Sequence, residues 1–90
     1  MGIEYRLHCN ASAAAIADVL RRHPAAQETS SVDFHFELGK TSDGWPQATA
    51  HAEADGAYFC DHCGGEGRAI MGEVVARLVS AFGAVTVKEL

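Results

Sequence analysis

The sequence predicts an α+β fold, a two-layer sandwich in which one mixed sheet carries both helices on a single face. Three observations lead there. Three segments alternate apolar and polar residues with a period of two, two others place apolar residues at helical spacing, and turn residues separate them. Ninety residues are enough for one core, so the chain reads as a single domain, 1–90.

The first strand is the cleanest. Ile3, Tyr5, Leu7 and Cys9 share one face, and Glu4, Arg6 and His8 share the other. Asn10 or Ser12 then caps a helix running from Ala13 to His23, with Ile16, Val19, Leu20 and His23 on one stripe. Arg21, Arg22 and His23 suit the negative end of the helix dipole, and Pro24 stops the helix. Residues 25 to 30 read as a polar connector. Val32, Phe34, Phe36 and Leu38 alternate with Asp33, His35 and Glu37 in a second strand, and Gly39 to Pro46 forms a loop.

Ala48, Ala50, Ala52 and Ala54 alternate with Gln47, Thr49, His51 and Glu53. Alanine is a poor strand former, so this third strand rests on pattern and position. Asp55-Gly56 is a hairpin signal, and Ala57 to Asp61 is the return strand. A second helix spans about Arg68 to Phe82, with Ile70, Met71, Val74, Val75, Leu78 and Phe82 as its apolar face and Gly83 as its left-handed cap. Val85 and Val87 form a last short strand. The order is β-α-β-β-β-α-β, with the first and fourth strands parallel. Without the alanine-rich strand it becomes the ferredoxin-like β-α-β-β-α-β plan. The expected core includes Val32, Phe34, Phe36, Val74, Leu78 and Phe82.

The formal net charge of −5 disfavours nucleic acid and anionic membranes as partners, and the seven Lys and Arg residues form no basic stripe. No apolar run approaches the roughly 20 residues of a membrane span. Three cysteines without a signal sequence point to the reducing cytoplasm. So small a core gains from a second copy, and a homodimer is expected.

Cys60-Asp61-His62-Cys63 opens the run Gly64-Gly65-Glu66-Gly67. Two cysteines at this spacing can chelate one metal ion or close a small disulfide ring. Residues 60 to 67 resemble one C-x-x-C-x-G-x-G unit of the cysteine-rich domain of J-domain co-chaperones, matched by Cys60, Cys63, Gly65 and Gly67. Pairs of such units complete each zinc site in that family. One unit over eight residues implies a metal-binding knuckle, not chaperone activity.

A closed zinc site needs four ligands. Cys60 and Cys63 give two, and His62 and Cys9 are the nearest candidates by chemistry. Parallel first and fourth strands would bring Cys9 and Cys60 to one sheet edge, whereas the ferredoxin-like plan separates them. A thioredoxin-type site is the redox alternative. Against it, the glycine run parts the pair from its helix, only 27 residues follow Cys63, and both prolines precede the motif. The plain alternative is a pair of reduced thiols.

Alternation also sends His8, His35 and His51 to the face away from the helices, with Glu4, Asp33, Glu37 and Glu53. Such a face can bind a transition metal, tune its histidines near neutrality, or simply be solvated. Tyr5, Phe34 and Phe36 point inward, so no aromatic platform is offered to RNA. Trp45 is either a binding anchor or folded over the core edge.

These features favour a small non-catalytic binding module whose acidic surface suits a basic protein partner that it regulates or neutralises. His8, His35, His51, Glu37, Glu53 and Trp45 are its binding candidates, and no cofactor is expected. The alternative is a thiol protein that binds a metal, zinc by chemistry, or performs dithiol redox work through Cys60 and Cys63. A third reading is an enzyme built on the histidine-rich face.

Overall fold

The computed structural model describes residues 2–37, 46–63 and 65–90. Among these the order is β1 (Ile3–His8), α1 (Ala13–Arg21), β2 (Ala26–Glu28), β3 (Asp33–Phe36), β4 (Ala48–Glu53), β5 (Gly56–Asp61), α2 (Gly65–Phe82) and β6 (Thr86–Glu89). The fold is α+β, and the strands form one sheet in the order β2-β3-β4-β5-β1-β6.

Every neighbouring pair in the sheet is antiparallel, so the expected mixed sheet is corrected. The cause is β2, which the sequence disguises as a polar connector. Gln27 and Glu28 are exposed, and backbone pairing with β3 holds the segment. Ser30 supports the turn that follows, with its hydroxyl accepting the Val32 and Asp33 amides and donating to the Asp33 carboxylate. One extra strand reverses the direction of every later strand, so β5 runs antiparallel to β1 rather than parallel to it.

The two helices touch each other and cover one face of the sheet. Under them lie Tyr5 and Leu7 from β1, Phe34 and Phe36 from β3, and Ala57 and Phe59 from β5. Ile16, Val19 and Leu20 of α1 and Ile70, Val74 and Leu78 of α2 close the core. Val32 and Phe82 are only partly buried against it. The alanine stripe acquires a reason here. Ala48, Ala50 and Ala52 are buried beneath α1, and their small side chains let the helix sit close between flanking phenylalanines.

Local chemistry sets the element ends. Ser12 caps α1, its hydroxyl accepting the Ala15 amide at 3.2 Å. Gly83 ends α2 at φ 94°, and its amide reaches Val79 O at 2.8 Å. α2 begins at Gly65, three residues before the expected start.

The β4–β5 hairpin turns one residue earlier than the Asp55-Gly56 signal implies. Glu53 pairs with Gly56, leaving Ala54 and Asp55 in the turn, and Asp55 takes the left-handed conformation at φ 64°. Gly56 answers a different need. A Cβ there would lie 2.1 Å from Leu7 O of the adjacent strand. Because the obstacle is backbone, Gly56→Ala should lower unfolding free energy by about 3 kcal/mol, the upper end of overpacking costs. Chemical denaturation measures this, and a loss below about 0.5 kcal/mol would mean that β1 and β5 separate there without cost.

Candidate functional site

Register sorts the uncovered sheet face into rows. One row runs Gln27, His35, Thr49, Cys60, Glu4, and the next runs Asp33, His51, Tyr58, Arg6, Lys88. His8 belongs to a third row, opposite Gly56 and Thr86. All three histidines therefore share the outer face, exposed or half-buried. His35 and His51 are diagonal neighbours on β3 and β4, while His8 sits two strands away from His51.

Asp33 organises the first of these neighbourhoods. Its Oδ2 accepts the Ser30 hydroxyl at 2.7 Å, and its Oδ1 lies 2.7 Å from His51 Nδ1. The Ser30 hydrogen bond, then the His51 one, holds the Asp33 carboxyl below its ordinary range. Around this pair is an open depression of about 360 Å³, lined by Asp33, His35, Thr49, His51 and Tyr58 among others. Glu53 pairs with Arg6, which also lies over the Tyr58 ring. Tyr58 OH donates to Glu4, and Gln27 donates to Glu37. Trp45 lies outside the described residues.

The cysteines divide. Cys60 is on the outer face between Glu4 and Thr49 and only 8% exposed, and Cys63 is exposed. Cys60 Sγ lies 3.8 Å from His62 Nδ1, and His62 Nε2 lies 3.1 Å from Thr49 Oγ1. Burial, then the charges of Glu4 and Asp61, push the Cys60 thiol up, the opposite of what activates a thiol nucleophile. Cys9 stands apart from the pair. It belongs to the buried face with Leu7, and it sits five residues along β1 from the Glu4–Cys60 pair, about 17 Å at strand spacing. Cys9, Cys60 and Cys63 are all free thiols. Among the described residues, no group of three His, Cys, Asp or Glu side chains is arranged to hold a metal ion.

Two residues in this region carry roles that the spacing alone conceals. Asp61, between the two cysteines, is fully buried at the entrance to α2. Its Oδ1 accepts the Cys63 amide at 3.0 Å, while Oδ2 has no hydrogen-bond partner among the described residues. A carboxylate suits the positive end of a helix dipole. Gly67 lets the first turn of α2 close on it, since a Cβ there would fall 2.0 Å from Asp61 Oδ1. His23 is the second. It is buried, accepts the Ala25 amide through Nδ1 at 3.0 Å, and packs edge-on against Phe36. With Nδ1 an acceptor, Nε2 carries the proton and points to Glu73 at 3.3 Å, beneath a groove of about 570 Å³ between the helices. Its place on the apolar stripe of the first helix was the available signal.

No protein-family model, curated protein or solved structure matches this chain. No helix among the described residues is long and apolar enough to cross a membrane.

Two measurements check this geometry. A thiol reagent at neutral pH should label Cys63 first, with Cys9 and Cys60 reacting only on unfolding, as read by mass spectrometry of intact and digested protein. Asp33 titrates lower in the folded than in the unfolded state. Its contribution to stability is therefore complete above the unfolded carboxylate pKa of about 3.9 and is lost as pH falls through the lower folded value. Asp33→Asn should flatten that part of the acid limb in pH-dependent thermal melts and leave the alkaline limb unchanged.

Proposed function

We propose that the protein is a non-catalytic binding module whose outer sheet face takes a basic protein segment. One observation carries the reading. Three of the face's carboxylates are held by neutral donors or by histidine: Glu4 by Tyr58, Glu37 by Gln27, and Asp33 by Ser30 and His51. Among the described residues, only Glu53 of the face's carboxylates is matched by arginine. The geometry is fixed while much of the negative charge is left uncompensated, which suits attraction of a cationic partner. The depression between Asp33 and Tyr58 gives a side chain of that partner somewhere to enter. Regulating or neutralising a basic protein by covering its cationic surface is the role that fits.

A lysine-rich decapeptide is a suitable probe. Calorimetric titration should show binding at low salt that weakens steeply by 0.5 M salt. Replacing Glu4 and Glu37 with glutamine should weaken it about tenfold or more, and an acidic decapeptide should not bind. Equal affinity for both peptides would sink the reading.

A second reading is favoured by the Cys60–His62 contact. Sulfur and nitrogen ligands on one tetrahedral zinc stand about 3.5 Å apart, close to the observed 3.8 Å. Cys63 and donors from outside the chain would have to complete the set. Zinc that shields Cys63 from the thiol reagent in the wild type, and fails to shield it in Cys60→Ser, would favour this centre over the peptide-binding face.

A further inference from the structure

The two edges of the sheet are unlike. β2 is three residues long, and short edge strands resist pairing. β6 is longer, every residue of it is exposed, and it contains neither proline nor glycine. Its backbone polarity is settled by one bond. Leu90 donates to Glu4 O at 2.8 Å, so by alternation Lys88 also turns its backbone toward β1, while Val87 and Glu89 turn theirs away from it. On the covered face this edge presents Val87 and Glu89, opposite Leu7 and Tyr5, while α2 packs on β5 and α1. α2 turns Glu73, Ala76, Arg77 and Ser80 toward the groove with α1, and helical spacing puts Met71, Val75, Val79 and Phe82 on the opposite flank. Val79 and Val87 are 40% and 42% exposed.

We propose that β6 pairs antiparallel with β6 of a second copy, about a two-fold axis normal to the sheet through Val87. Val87 then exchanges both backbone hydrogen bonds with Val87 of the second copy, using the groups that face away from β1. Thr86 lies opposite Lys88, and Val85 lies opposite Glu89. The helices of both copies remain on one face of the joined sheet. Charge selects this register. Centring on Lys88 would set Lys88 against Lys88 in the row that also holds Arg6, and like charges directly opposite are destabilising. The outer face stays open in both copies, so this interface is independent of what that face binds.

Sedimentation equilibrium tests it, with far-UV circular dichroism to confirm folding. The wild type should show twice the chain mass of 9.5 kDa. Val87→Pro deletes an amide that serves no bond within the monomer, so it should remain folded and become monomeric. Thr86 is exposed on the outer face, and its variants read the register without disturbing the core. Thr86→Lys should raise the dimer dissociation constant roughly two- to tenfold, and Thr86→Glu should lower it by a similar factor. A wild type that stays monomeric at millimolar concentration, or a dimer indifferent to both Thr86 changes, would overturn the proposal.

Discussion

A Cβ at position 56 would fall 2.1 Å from Leu7 O, so the close approach of β5 to β1 in their observed register requires glycine there. The consequences spread outward from it. In this register Tyr5 and Leu7 stand beside Phe59 and Ala57 on the covered face, while Glu4 and Arg6 stand beside Cys60 and Tyr58 on the open one. A slip of one residue would turn every side chain of β5 over. Phe59 would meet water, and Tyr58 would leave Glu4 without its donor. The core and the polar face are therefore one decision, made at a position where only a glycine fits.

The same alternation explains why so much of the fold can be read from the chain. Phe34, Phe36, Leu7, Val74 and Leu78 are buried where period and spacing put them, and His8, His35 and His51 share the outer face. What escaped detection had no side-chain pattern to show. β2 is a strand because its backbone pairs with β3, not because Gln27 and Glu28 resemble strand residues. Without β2, the five-strand order puts β5 parallel to β1 and Cys9 on the same sheet edge as Cys60. Gly56 was legible as glycine, but its purpose lay in a strand 48 positions earlier, since it pairs with His8.

The Cys60–Cys63 motif shows how spacing can draw the eye past a more buried neighbour. The residue between the thiols with the tightest environment is Asp61, whose carboxylate lies under the first turn of α2. One oxygen receives the Cys63 amide, so the acid anchors the loop that carries the exposed thiol. On the sheet face the opposite holds. Asp33 and His51 are both half exposed, and their hydrogen bond fixes an imidazole at the rim of a depression without burying it. The molecule keeps its best-sequestered acid at a helix entrance and a half-exposed one on the open face.

β1 has its partners far away in the chain. Its residues pair with β5 across separations of 48 to 58 positions (His8 to Gly56, Ile3 to Asp61) and with β6 across 78 to 84 (His8 to Thr86, Tyr5 to Glu89). The hairpins β2–β3 and β4–β5 close over short loops by comparison, although the second joins the first across residues 37–47. Loop-closure entropy favours the local pairs first, and high contact order slows what remains. On the ribosome, Tyr5 and Leu7 emerge early and wait for both neighbours. The strand held between β5 and β6 in the finished sheet is thus the first to be made and among the last to be satisfied, which gives its apolar face a long exposure to chaperones and to other nascent chains.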